Sequence, residues 1–182
     1  MSHDQTEGVI AIRRWQFEDL DAVSAIERQA GDNAINKETL SMWITTTYLM
    51  RGYVLTEDGI IRGFTVLFLT RDSHADIQTI RIDASHRDRG FGKRLLAHLV
   101  EELPKLDKSG QKRWRSLWAD IDSNNKPAIR LFEKLFAKNR VRLYLDHVGK
   151  LTGTRYEMEY PVPPNFYKTA ITTSWEMPPP RK

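Results

Sequence analysis

The 182-residue chain contains no cysteine. Disulfides, cysteine-based zinc sites and a thiol nucleophile are thereby excluded, and a reducing compartment is permitted. Its five histidines, His3, His74, His86, His98 and His147, show none of the spacings that hold a metal ion, so no metal site is expected. No apolar run approaches the roughly 18 residues of a membrane-spanning helix, and the longest, Gly63 to Leu69, is of strand length. The opening Met1-Ser2-His3-Asp4-Gln5 is polar and acidic, unlike a secretory signal or an arginine-rich transit peptide. A cytoplasmic location with no membrane contact is therefore the expectation. Proline is scarce until the end of the chain, where six of the eight fall at 161–180. Internal repeats are absent.

What is present fits one ordinary domain. Hydrophobic residues make up 40% and charged residues 29%, enough apolar material for a single core. A loose tail is expected at residues 1–8, a domain at 9–160, and a proline-rich arm at 161–182. Phe166, Tyr167 and Trp175 on that arm would be covered in a homodimer, with a disordered tail as the alternative. The net charge of +4 is unevenly spread. Residues 1–80 carry 7 Lys and Arg against 12 Asp and Glu, whereas residues 81–142 carry 16 against 8. An acidic front and a basic middle point to one cationic and one anionic partner, or simply to solvated helix faces.

Periodicity gives the element order β-α-α-β-β-β-α-β-α-β-β. Strands are expected at Val9–Trp15, around Tyr53–Leu55, at Ile61–Leu69 and at Ala75–Ala84. Three more are expected at Ser116–Ile121, Val141–Leu145 and Tyr156–Tyr160. Asp19 and Asn36 are placed to cap the two early helices, and Glu57-Asp58-Gly59 signals a hairpin. Later helices carry Phe91, Leu95, Leu96, Leu99 and Leu103, then Ala128, Leu131, Phe132 and Leu135.

Arg87-Asp88-Arg89-Gly90-Phe91-Gly92 lies between an expected strand and an expected helix. The glycines permit a tight turn, after which the first helical amides point outward without acceptors, a setting that favours an anion such as pyrophosphate. Arg87, Arg89, Lys93 and Arg94 add four positive charges within eight residues. A ligand-free strand-to-helix turn would use the same glycines. Rossmann and Walker loops fit less well, the first for want of a third glycine and a parallel context, the second for want of Gly-Lys-Ser/Thr.

The whole stretch Ile80-Arg-Ile-Asp-Ala-Ser-His-Arg-Asp-Arg-Gly-Phe-Gly-Lys-Arg-Leu-Leu96 resembles the acyl-CoA signature of the GNAT acetyltransferase superfamily. Asn125-Lys-Pro-Ala128-Ile-Arg-Leu131-Phe132-Glu-Lys-Leu135 is similar to that family's second block. The resemblance covers roughly residues 9–147. It implies an α/β (α+β) fold with a mixed, mostly antiparallel sheet of six to seven strands, four flanking helices, and strands 4 and 5 splayed. It further implies acetyl-CoA as co-substrate. Backbone groups of Ile80, Arg81 and Ile82 would hold the pantetheine arm, and amides across Arg87, Asp88, Arg89, Gly90, Phe91, Gly92 and Lys93 the pyrophosphate. Asn125 matches an asparagine that touches pantetheine, although a plain helix cap explains it as well.

The implied reaction is direct attack of an amine on the thioester, which needs a base and an acid. Asp120 matches a position where some members carry a glutamate base, with Asp122 on the same strand face; the alternative is an ion pair with a nearby arginine. Phe132 occupies the place of the usual tyrosine acid and is grouped with the cofactor-binding positions. Tyr144, Tyr156 or water would then supply the proton. Phe136-Ala137 likewise replaces the usual Gly-Phe. The expected acceptor is a cationic primary amine (polyamine, aminoglycoside, protein lysine or N-terminus) drawn to Asp32, Glu38, Glu57, Asp58 and Asp76. The alternative function is an acyl-CoA-binding sensor without turnover. Nucleic acid is not the expected partner, because core packing accounts for Trp118.

Overall fold

Apolar runs bounded by turn residues become strands, and runs with three-to-four spacing become helices. In chain order these are β1 (Ile10–Arg14), α1 (Leu20–Glu27), α2 (Lys37–Thr45), β2 (Met50–Glu57), β3 (Ile60–Leu69) and β4 (His74–Ile82). They continue with α3 (Phe91–Glu102), β5 (Ser116–Asp122), α4 (Lys126–Phe136), β6 (Val141–Leu145) and β7 (Leu151–Glu159). The computed structural model describes residues 8–70, 74–103, 116–136, 141–145 and 151–159. Its strands run β1-β2-β3-β4-β5-β7-β6 in one mixed sheet. The pairs β1–β2, β5–β7 and β6–β7 are antiparallel, and β4–β5 is parallel. That parallel ladder joins only His74–Asp76 to Ser116–Trp118, while β4 runs on to Ile82 and β5 to Asp122. Most of the expected tail, and the whole expected arm with its dimer contact, lie outside the described residues. Among the described residues no helix is long and apolar enough to cross a membrane.

The described residues form two compact units, one ending at Val66 and resuming over Thr79–Leu95, the other made of Leu67–Gln78 and the residues from Leu96 on. In the first, α1 buries Leu20, Val23 and Ile26, each contributing about 1.5–3 kcal/mol. Asp19 does not cap α1. It ends a 3₁₀ turn at Phe17–Asp19, and its carboxylate accepts hydrogen bonds from Arg13 at 2.7 and 2.8 Å and from the Gln16 amide at 2.7 Å. The Arg13 guanidinium on the adjoining strand takes the oxygens a cap would need, and holds the carboxyl below its ordinary range. Asn36 does cap α2, its Oδ1 accepting from the Thr39 amide at 2.8 Å. Asn36→Ala is expected to cost about 1 kcal/mol, visible as a lower urea midpoint at unchanged m-value. An unmoved midpoint would mean that packing of Leu40 and Ile44 alone holds α2.

The hairpin joining β2 and β3 turns on Asp58 and Gly59, with φ of 50° and 79°. Two left-handed residues in succession give the turn whose twist matches the flanking strands. Strand β2 starts at Met50, earlier than the apolar run indicates, because Gly52 interrupts that run. The glycine is required there: a Cβ would stand 2.0 Å from Cε2 of the buried Trp15 indole. At the head of α3, Phe91 and Leu95 pack with Leu55, with Ile10, Ile12, Ile80 and Ile82 closing the cluster.

In the second unit β5 alternates strictly. Leu117, Ala119 and Ile121 are buried on one face, while Trp118, Asp120 and Asp122 stand on the other. Asn125 opens α4, its Oδ1 accepting from the Ala128 amide at 3.2 Å. Phe132, buried, packs its ring 5.8 Å from that of Tyr156. Strand β7 begins five residues before the expected Tyr156. Its start, Leu151-Thr-Gly-Thr-Arg155, has little strand character of its own and is held by partners on both sides, Gly153 pairing with Asp122 and with Tyr144.

Candidate active site

In the first unit the chain leaves β4 at Ile82 and reaches α3 through a turn containing two left-handed residues, Asp88 at φ 61° and Gly90 at φ 78°. Nothing lies within 4 Å of a Cβ added to Gly90, so its backbone angle, not crowding, is what calls for glycine. The Arg94 amide closes the first helical turn on the Gly90 carbonyl at 3.0 Å. The amides of Phe91, Gly92 and Lys93 consequently have no acceptor within the helix and stand at its positive end. Arg87 and Arg94 are exposed beside them.

Arg89 is used differently from its neighbours. Its guanidinium donates to the Glu57 carboxylate at 2.9 and 2.5 Å and lies 4.9 Å from the Phe91 ring centre. Those hydrogen bonds hold the Glu57 carboxyl below its usual range. His86, on the 3₁₀ turn Ala84–His86, has Nδ1 3.0 Å from Asp83 and Nε2 3.8 Å from Glu57. Ile80 and Ile82 face the Phe91 cluster, whereas the Arg81 side chain donates to the fully buried Glu27 at 3.1 and 3.4 Å. Glu27 also accepts from the Ile35 amide at 3.2 Å. Gly63 lets β3 pass close to β4: a Cβ there would meet the Arg81 carbonyl oxygen at 2.8 Å.

In the second unit Trp118 lies between its two neighbouring strands' side chains. The His74 ring stacks on it at 4.1 Å and 23°, and the Arg155 guanidinium carbon is 4.5 Å from its ring centre. Among the described residues nothing hydrogen-bonds its buried Nε1. Arg155 also grips Asp120 with both nitrogens, at 2.8 and 2.6 Å. Asp120 is thus ion-paired. The Asp120 charge acts on Asp76, which is in register with Trp118 on β4. Burial pushes the Asp76 carboxyl up, the Asp120 charge adds to this, and Arg155 and His74 oppose it. Asp122 accepts from the Asn124 amide at 2.7 Å.

The opposite face of β5 and β7 holds Tyr156, 3% exposed, whose hydroxyl is pushed up to about 12 by burial and, less, by Glu133. Tyr144 pairs its backbone with Gly153, but its side chain lies outside the described residues. Asn125 is exposed, and its cap engages the oxygen only. Among the described residues no group of three metal-ligating side chains forms.

The Asp76–Asp120–Arg155 cluster is the part that local pattern could not deliver. Asp76 was one acid among several in the front of the chain; its signal was an acidic residue set between Ala75 and Ile77 in a strand run. Arg155 fell just outside the expected strand, so its ion pair had no visible partner.

The family model for the Acetyltransferase (GNAT) family matches residues 11–137. The [ribosomal protein bS18]-alanine N-acetyltransferase of Escherichia coli (strain K12) is 29% identical over 117 residues, 64% of this chain and 73% of that protein. The crystal structure of the Escherichia coli ribosomal-protein-S18-alanine N-acetyltransferase superposes with a TM-score of 0.66 at 22% identity, covering 83% of this chain and 94% of that one. An N-acetyltransferase from Staphylococcus aureus Mu50 gives 0.62 at 25% identity, covering 83% and 98%. Arabidopsis thaliana NAA60 in complex with acetyl-CoA gives 0.64 at 16% identity, covering 84% and 99%.

Proposed function

The chain belongs to the GNAT acetyltransferase family and is an N-acetyltransferase, and from that premise we propose that it carries an acetyl group from acetyl-CoA to a primary amine by direct attack in a ternary complex. The turn at the head of α3 is the observation that carries this reading: first-turn amides with no acceptor inside the helix, two left-handed residues and the cations Arg87, Lys93 and Arg94 suit a pyrophosphate. Backbone groups of Ile80, Arg81 and Ile82, at the end of β4 that leads into the turn, suit the pantetheine arm. The Asn125 side-chain nitrogen is left to the same arm by a cap that uses only oxygen. Acetyl-CoA supplies the activated acyl group.

The rest of the chemistry falls to side chains of the second unit. An ammonium must lose a proton before nitrogen can attack, and the departing thiolate must gain one. These needs arise on opposite sides of the thioester carbon. The sheet carries a carboxylate pair on one face and a tyrosine on the other, Asp76 with Asp120 against Tyr156 beside Phe132. Asp76, with its proton affinity raised by burial, takes the amine proton; Asp120, fixed by Arg155, orients the ammonium, and its charge adds to that affinity. The Tyr156 hydroxyl serves the thiolate in place of the one Phe132 lacks, with Tyr144 as the other tyrosine in question. A pair of carboxylates selects a cationic acceptor, and a protein N-terminus of the kind acted on by the bS18-alanine enzyme heads the list.

Calorimetric titration with acetyl-CoA tests the reading. Wild-type protein is expected to bind saturably, and Gly90→Val, which puts a β-branched residue at φ 78°, to bind at least about tenfold more weakly. Thiol release would then be screened with spermidine, an aminoglycoside, a lysine peptide and a peptide beginning with alanine. Folded protein that does not bind acetyl-CoA would end the acetyltransferase reading. Binding with no release from any amine would favour the sensor, which the tyrosine-to-phenylalanine departure at Phe132 makes the second reading.

A further inference from the structure

Glu57 ends β2 with its side chain only 10% exposed and lies behind the turn rather than in it. Three basic side chains converge on its carboxylate: Arg89 in a two-pronged hydrogen bond, and Arg62 Nε and the His86 ring nitrogen Nε2 at 3.8 Å each. Arg89 is the residue between the left-handed Asp88 and Gly90, and the Phe91 ring supports the same guanidinium at 4.9 Å. The middle of an exposed turn is thus fastened at its tip to the β2–β3 hairpin, 32 residues earlier in the chain. A loop so fastened has little conformational freedom left to lose when an anion binds.

We propose that Glu57 is a positioning residue for the acyl donor: by gripping Arg89 it sets the backbone amides of the turn in place for a pyrophosphate, and it makes Arg89 a strut instead of a phosphate ligand. This rests on the reading of that turn as the donor's pyrophosphate site. The two ideas part company over Arg89. A phosphate ligand freed from a competing carboxylate would bind the donor better, whereas a strut without its anchor lets the turn wander.

The test compares CoA, titrated calorimetrically, with pantetheine, which has the same arm and thiol but no pyrophosphate, followed by NMR line broadening. Glu57→Gln is expected to raise the Kd for CoA about tenfold, the equivalent of one charge-assisted hydrogen bond, and to leave pantetheine within about twofold of wild type. Arg89→Met should weaken CoA by a similar factor, and the double variant should be no worse than either single one, since both remove the same contact. Arg89→Met also carries the comparison if Glu57→Gln fails to fold. Unchanged or tighter CoA binding by Glu57→Gln would overturn the proposal, as would additive losses in the double variant. Equal losses for CoA and pantetheine would reduce Glu57 to a general structural role. Wild-type protein that binds no CoA would remove the pyrophosphate site itself, and the proposal with it.

Discussion

Asp76→Asn is expected to lower kcat by about 10²–10⁴-fold, the usual worth of a general base. The asparagine keeps the shape and loses the capacity to accept a proton. The loss should be largest for amines that are fully protonated at the assay pH and should shrink for weakly basic ones, which arrive already neutral. Stability should move the other way. Burial, aided by Asp120, raises the Asp76 carboxyl above its ordinary range, so the folded protein holds that proton more tightly than the unfolded chain does. Such a group costs nothing at a pH below the ordinary carboxylate range, where both states are protonated. The cost grows as pH rises through that range and is complete above the raised folded value. Asp76→Asn removes it, so the variant should gain thermal stability over wild type at neutral pH and lose that advantage in acid. Unchanged turnover in Asp76→Asn together with an inactive Asp120→Asn would move the base to Asp120.

Tyr156→Phe is expected to lower kcat by a comparable factor, about 10²–10⁴-fold, with little change in acetyl-CoA affinity. The hydroxyl is held in its protonated form by burial, its proton leaving only at about pH 12, so it can donate a hydrogen bond to the developing thiolate across the whole working range and gives no limb to the pH profile between 6 and 9. Its ring contact with Phe132 places it beside the position that the resemblance assigns to a tyrosine acid. Full activity in Tyr156→Phe, with Tyr144→Phe inactive, would assign the proton to Tyr144 instead. Recovery of Tyr156→Phe by a second change, Phe132→Tyr, would establish that the two positions serve one proton.

The sequence made most of the architecture readable because its signals are local. Asn36 and Asn125 cap the helices they precede, Asp58-Gly59 turns the hairpin, and the glycine-bearing segment before Phe91 forms the strand-to-helix turn. What escaped depends on partners far along the chain. Asp19 has the right spacing for a cap, but Arg13 on the neighbouring strand claims its oxygens. Arg89 looks like one of four equivalent cations until β2 brings Glu57 to it. Asp76 and Asp120 become a pair only through the register of β4 on β5, which no periodicity within either strand contains.

Arg155 joins Trp118 and Asp120, stacking on one and hydrogen-bonding the other. A shared partner of this kind makes the three positions epistatic: changing any one alters the background in which the other two are judged. Lysine in place of Arg155 keeps the charge but neither the flat stacking surface nor the two-pronged grip. Variation among relatives should therefore occur here in sets, and a library built to alter acceptor choice will reach new solutions only if it randomises positions 118, 120 and 155 together.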